Sequence, residues 1–322
     1  VVDHIYKMNK KNEKILYLPN PRGFCAGVER AINIVELSLE KYGPPIYVRH
    51  EIVHNPWVVK DLEKKGVIFV DELSDIPDGE RVIFSAHGVS SEVKSEANNK
   101  KMDFTDATCP LVLKVHFEAK RHFDNGLHIF LIGHKGHPEV DGTMGQIPKN
   151  SITLLENEND INAINENKYD KVALITQTTL SVDDTARLIN LLKKKFPNIT
   201  EPPREDICYA TTNRQMAVKS IAKKCDAIYV MGGENSSNSL RLVEVAEKSG
   251  CKNNFLISDI NSINWKEMEK FSSIGLTASA SAPEILINEF LKIINEKFKV
   301  KIKTNSIADE NITFKLPKEL RK

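Results

Sequence analysis

The stretch ILYLPNPRGFCAGVERAINIVELSLEKYGPP, residues 15–45, decides the fold. It passes from a short apolar strand through Gly23 and Cys25 into a helix. In that helix Val28, Ala31, Ile32, Val35, Leu39 and Tyr42 keep helical spacing up to the stop at Gly43-Pro44-Pro45. The same arrangement recurs twice. Cys109, in DATCP, opens a second amphipathic helix with Pro110 at its first position and Leu111, Lys114, Val115, Glu118 and Ala119 continuing to Asn125-Gly126. Cys208, in DICYATTNRQ, precedes a third helix, predicted to begin after Thr212 and Asn213 and to carry Met216, Val218, Ile221 and Ala222. A thiol at such a place faces unpaired backbone N–H groups and the positive end of the helix dipole, which favour the metal-binding thiolate.

Outward from these turns, apolar runs alternate with helical patterns: IYV, VIFV, VIFSAHG, HIFLIGH, VALITQTT, AIYVMGG, NFLIS and SIGLTASA. This alternation predicts a parallel α/β architecture. If each cysteine belongs to one unit, the chain reads as an N-terminal extension with the first strand and the Cys25 turn (residues 1–26), followed by α/β domains at 27–109, 110–204 and 205–322. Three such units meeting at one centre would be related by a pseudo-threefold axis.

The chain has 322 residues with 45 basic and 44 acidic side chains, a net charge of +1. That balance gives no electrostatic footprint for nucleic acid. No apolar run is long enough to span a bilayer. Five cysteines in this length do not make a secreted disulfide framework.

Cys25, Cys109 and Cys208 lie too far apart in sequence for a zinc-ribbon or ferredoxin pattern, so each must come from a separate structural element. Three soft ligands leave a metal position open to substrate, with iron–sulfur the first candidate and zinc the second. Cys225 and Cys251 read as free structural thiols.

The ends of parallel strands are where such folds bind ligands. There stand His54, His87, His137 with Glu139, Thr178 with Thr179, Ser236-Ser237-Asn238, and Ser279 with Ser281. Imidazole, hydroxyl and amide groups backed by helix N-termini suit phosphate oxygens. Singly, any of the serines or threonines has a plainer use as a helix cap. With no Walker loop and no GxGxxG pattern, a small phosphorylated metabolite is a better ligand than a nucleotide.

The segments NPRGFCAGVERA, IYVRHEIVHN, FSAHGVS, DATCPLV, IGHKGHPEVDGTMGQ, TQTTLSVDDT, DICYATTNRQ, NSSNS and ASAP run in order through most of the chain. In these the chain closely resembles the IspH/LytB family of 4-hydroxy-3-methylbut-2-enyl diphosphate reductases, which catalyse the last step of non-mevalonate isoprenoid biosynthesis. It departs from the family pattern at the loop before NSSNS, which reads GGE. The resemblance implies a trefoil of three α/β domains around one 4Fe-4S cluster held by Cys25, Cys109 and Cys208, its fourth iron without a protein ligand. It implies that His54, His87, His137, Ser236, Ser237, Asn238 and Ser281 hold the substrate diphosphate. Glu139 would supply the proton, with His137 beside it, and Thr178, next to Thr179, would orient the substrate hydroxyl. A ferredoxin-type protein would deliver the electrons.

The chemistry can be reached independently. Reductive removal of an allylic hydroxyl needs a Lewis acid, two electrons and a proton, and a carboxylic acid beside an anionic cluster and a diphosphate, its charged form disfavoured, suits the last role. Protonated imidazoles could neutralise a diphosphate. Ligands drawn from three units imply a hinge-like closure on binding. The rivals are a non-redox iron–sulfur hydro-lyase, an iron–sulfur sensor of a phosphometabolite, and a zinc hydrolase. The polar first dozen residues, without an initiator Met, and the Lys-, Asn- and Ile-rich character lean towards a processed plastid (apicoplast-type) protein, with the cytoplasm as the alternative.

Overall fold

The computed structural model describes residues 13–321; the polar first dozen lie outside them. Among the described residues the strands form three parallel sheets flanked by helices, in agreement with the α/β expectation. One is four-stranded in the order β3-β2-β4-β5, with β2 Ile46–Arg49, β3 Val67–Val70, β4 Arg81–Phe84 and β5 Asp103–Asp106. A second is three-stranded in the order β7-β6-β8, with β6 His128–Ile132, β7 Ile152–Leu155 and β8 Val172–Thr176. The third is five-stranded in the order β10-β9-β11-β1-β12, with β1 Glu13–Asn20, β9 Ala227–Met231, β10 Asn253–Ile257, β11 Ser273–Ala278 and β12 Lys299–Ser306.

The chain partitions into two compact units. The first two sheets belong to the unit formed by residues 25–212 with the chain from Asn311 onward; the third belongs to the unit formed by the described residues up to Phe24 with Asn213–Glu310. The expected segments 27–109, 110–204 and 205–322 thus hold one sheet each, with two exchanges at the termini. β1 is a member of the third sheet, paired with β11 and along its full length with β12. The tail beyond Asn311 returns to the first segment, where Arg30 Nε and Lys41 Nζ donate to the carbonyls of Lys315 (2.8 Å) and Glu319 (2.6 Å). We propose the three-domain division with those two exchanges.

Two strands are buried on both faces, as parallel strands covered by helix layers are: β8, at one edge of its sheet, and β9, inside the five-stranded one. All of Val172–Thr176 and of Ala227–Met231 is buried. Phe130, Leu174, Leu188 and Leu192 form a core against one face of the three-stranded sheet, and Ile129, Leu131, Ala173 and Ile175 pack with Val115 and Val140 on the other. Ile228 and Val230 pack with Val218, Ile221, Leu242 and Val245. Cys225 and Cys251 are free and buried in that last cluster, as expected.

Two helices begin where the sequence indicated, Ala26–Tyr42 after Cys25 and Pro110–Asp124 after Cys109. The third does not. It spans Tyr209–Ala222, opening directly after Cys208 rather than after Asn213. The sulfur explains the difference: Thr211 N–H donates to Cys208 Sγ (3.4 Å), so the thiol caps the first turn and the threonines are inside the helix.

Candidate active site

Each of the three cysteines immediately precedes a helix. Cys109 N–H is held by the carbonyl of Ala86 (3.0 Å) and Cys208 N–H by that of Thr178 (3.0 Å), so both turns hang from strand ends. Cys208 Sγ also lies 3.2 Å from Thr211 Oγ1. Gly27 shows how close two of the turns come. A Cβ on that residue would stand 2.6 Å from Cys109 Sγ and 3.8 Å from Cys25 Sγ, so only glycine fits there.

Helix N-termini do not lower the Cys109 and Cys208 thiols as the sequence suggested. Burial pushes Cys109 up to about 12, and the neighbouring Cys25 adds to it, while the N–H groups of Leu111 and Val112 pull the other way. Burial likewise raises Cys208 to about 11, again with Cys25 contributing. Desolvation and mutual repulsion therefore outweigh the helix ends. Three half-buried cysteines, two of them disfavoured as thiolates by desolvation and by the Cys25 charge, fit a shared cationic partner that offsets both effects. No three His, Cys, Asp or Glu side chains among the described residues come close enough to hold a single ion.

Beside Cys208 sits a carboxyl–hydroxyl pair. Glu139, in the short helix Pro138–Met144, accepts from Thr178 N–H through Oε1 (2.6 Å) and from Thr178 Oγ1 through Oε2 (2.9 Å). Its side chain is buried, and desolvation raises its carboxyl to about 7, with the Asp206 charge adding and the two Thr178 bonds opposing. Near neutral pH the group exists in both forms. When it is protonated, the same contact runs in reverse, Glu139 donating to Thr178 Oγ1. Thr179 faces elsewhere: its Oγ1 accepts from Gln177 Nε2 (2.9 Å).

His54, His87 and His137 converge. The rings of His54 and His87 stack with centroids 4.0 Å apart, and His137 meets them edge-on at 5.5 and 5.9 Å. His54 Nδ1 lies 3.1 Å from Glu51 Oε2, and His87 Nδ1 lies 3.3 Å from Ser85 Oγ. His137 caps its own helix, Nδ1 accepting from Glu139 N–H (3.1 Å), which leaves Nε2 to carry the proton of the neutral ring. Desolvation, and then mutual repulsion, lowers His137 to about 3 and His87 well below its ordinary value. These two rings are therefore neutral at pH 7 in the free site. Gly88 allows the turn after His87: it has φ +81°, and a Cβ would stand 2.7 Å from His116 Cε1.

In the other unit a hydroxyl and amide cluster gathers at the ends of β9 and β11. Ser236 caps the helix Ser237–Lys248, accepting from Ser239 N–H (3.3 Å). Its Oγ lies 3.4 Å from Ser281 Oγ, which is 3.4 Å from Ser279 Oγ. Asn238 Oδ1 accepts from Ala280 N–H (3.0 Å). Ser237, in the first turn, is buried with them. The helix-cap reading thus holds for Ser236.

Sequence reasoning missed several supporting groups. Gln177 Oε1 accepts from His134 N–H (3.0 Å) while its amide holds Thr179. Asp206, two residues before Cys208, accepts from Thr176 N–H (2.9 Å) and pairs with Lys114 (3.0 Å). The glycine two residues after Cys25 is a signal that could have pointed to the close approach at Gly27; nothing local pointed to Gln177.

Residues 16–295 match the family described as LytB protein. The chain belongs to the LytB family. A LytB-family relative from Roseobacter denitrificans, a 4-hydroxy-3-methylbut-2-enyl diphosphate reductase, is 54% identical over 306 residues, covering 95% of this chain and 97% of its own. A reductase of the same name from Paracoccus denitrificans is 51% identical, covering 98% and 99%. Among solved structures, the E-1-hydroxy-2-methyl-but-2-enyl-4-diphosphate reductase from Plasmodium falciparum superposes with a TM-score of 0.92 at 43% identity, covering 96% of this chain and 97% of the other. Another, described as the terminal enzyme of the non-mevalonate pathway, gives a TM-score of 0.64 at 29% identity over 88% and 99%. Among the described residues no helix is long and apolar enough to cross a membrane.

Proposed function

We propose that this LytB-family protein is a 4-hydroxy-3-methylbut-2-enyl diphosphate reductase. It takes up two electrons and two protons, breaks the allylic C–O bond, and releases water with isopentenyl or dimethylallyl diphosphate. One proton leaves with the oxygen and the other ends on carbon. The observation that carries this reading is the buried Glu139–Thr178 pair joined directly to the Cys208 turn, with a carboxyl that titrates near pH 7.

Cys25, Cys109 and Cys208 would hold one 4Fe-4S cluster whose fourth iron has no protein ligand. When bound, the cluster supplies the Lewis acid for the oxygen and passes the electrons singly. The chain's own residues do the rest. Glu139 holds the proton that the departing oxygen needs, and Thr178 Oγ1, which can donate or accept, orients the substrate hydroxyl and relays that proton. His54, His87 and His137 offer ring N–H groups to the diphosphate, whose charge draws further protons onto them. The hydroxyls of Ser236, Ser237 and Ser281 and the amide of Asn238 are further diphosphate donors. Thr179, held by Gln177, stands beside Thr178 as a lesser contact.

A ferredoxin-type protein is the proposed electron donor. The bacterial curated relatives support the cytoplasm over the plastid as the compartment. Anaerobic purification with iron and sulfide analysis, followed by turnover of the diphosphate with a reduced dye, tests the function. Bound cluster and reductant-dependent product are expected. Conversion without any reductant would point to a hydro-lyase, and binding without conversion to a sensor.

A further inference from the structure

One pattern links the three cysteine turns. The helix opened by each cysteine carries a basic side chain that donates to backbone carbonyls just ahead of another cysteine. Arg30, on the Cys25 helix, donates through Nη1 to the carbonyls of Ala107 (3.3 Å) and Thr108 (3.1 Å), the two residues before Cys109. Lys114, on the Cys109 helix, donates to the carbonyls of Arg204 (2.8 Å) and Glu205 (3.1 Å) and to Asp206 Oδ1 (3.0 Å), on the approach to Cys208. Arg214, on the Cys208 helix, donates to the carbonyl of Gly23 from Nε (3.0 Å) and Nη2 (2.7 Å), and from Nη2 to that of Phe24 (3.1 Å), the two residues before Cys25. Followed along the chain, the order is cyclic.

Each cation has an acid at hand. Arg214 pairs with Glu310 (3.1 Å) and Lys114 with Asp206, while Arg30 feels the charge of Asp106 and that of Cys109. Arg214 is wholly buried, at 0% exposure, so its guanidinium must be fixed by these bonds. The shared feature of the three cations is the turn each one holds.

We propose that Arg30, Lys114 and Arg214 are positioning residues for the cluster, each latching the turn of one cysteine to the helix of another and together raising the cluster's reduction potential. The proposal rests on the reading that the three thiols hold a cluster. Tying the carbonyls ahead of a cysteine fixes the backbone that aims its sulfur. A fixed positive charge near a thiolate-bound cluster favours the added electron. The latches thus act on geometry and potential at once, and the second effect separates them from ordinary structural contacts.

The test uses the cluster-loaded protein carrying Arg30→Met or Arg30→Lys. Two quantities are read: the potential, by redox titration followed by electron paramagnetic resonance, and iron release to a chelator. Arg30→Met is expected to lower the potential and speed release about tenfold, the size of one lost charged hydrogen bond; Arg30→Lys, which keeps the charge, restores the parent potential. Parent-like potential and release in Arg30→Met overturn the proposal. Should that variant fail to fold, Lys114→Met, at a partly exposed site, is read by the same two quantities with the same expected and contrary results. Iron and sulfide analysis of the unsubstituted protein tests the cluster reading separately, so its failure is told apart from failure of the latches.

Discussion

In the proposed mechanism Glu139 concentrates the chemistry in one side chain. Its folded pKa, about 7, stands above the ordinary 4.5, so the folded protein holds more protons between those values than the unfolded chain does. The stability this group contributes is fully present below about pH 4.5 and is lost as pH rises through 7. Glu139→Gln removes that loss, so the variant should be more stable than the parent at pH 8 by a few kcal/mol at most, the advantage shrinking towards pH 5 in chemical denaturation. The same variant should bind cluster and substrate yet turn over roughly 10²–10⁴-fold more slowly, the usual worth of a general acid. Near-normal turnover would remove Glu139 from the acid role. In the parent, kcat/KM should fall as pH rises through about 7 and the carboxyl loses its proton. The histidines add an independent sign. His137 and His87 are neutral in the free site and a bound diphosphate draws protons onto them, so binding should take up protons. Calorimetry in buffers of different ionisation enthalpy measures that uptake, and proton release on binding would contradict it.

The three strand-to-helix turns, taken as elements, were legible because a single-residue signal coincided with a change of period from strand to helix. Runs such as VALIT and AIYVM were legible as strands because they are buried on both faces. β5 (DFTD), β7 (ITLL) and β12 (KVKIKTNS) were not read as strands. β5 is short and flanked by aspartates, and β12 is an exposed edge strand whose alternating lysines guard its open side. β7 is also an edge strand, buried only at its two ends, Ile152 and Leu155. The start of the Tyr209–Ala222 helix was misplaced because a thiol cap has no common sequence signature, whereas threonines resemble a break. Gly27 gives a test at this scale. Gly27→Ala should leave the helix Ala26–Tyr42 formed, by circular dichroism, but prevent full iron loading, because the new Cβ meets Cys109 Sγ. Normal loading would show that the turns are more forgiving than the 2.6 Å approach implies.

Across the whole molecule, the sequence carried the α/β class and the candidate site residues because the chemistry-bearing groups stand at strand ends, in local runs that can be recognised one by one. Pairings between distant segments were not legible. That β1 joins β11 and β12, that the tail returns to Arg30 and Lys41, and that Asp206 serves both Thr176 and Lys114 are all contacts of high sequence separation. No local pattern encodes them. The proposed function, in turn, rests on what the fold assembles: a buried acid beside a thiol turn, and a group of neutral imidazoles. The most direct measurement is an anaerobic electron count, in which the cluster-loaded protein converts a known amount of 4-hydroxy-3-methylbut-2-enyl diphosphate and the oxidation of a reduced dye is followed. Two electrons consumed for each isopentenyl or dimethylallyl diphosphate formed is the expected result; product formed with no electrons consumed, or none formed by fully loaded and reduced protein, would contradict the account.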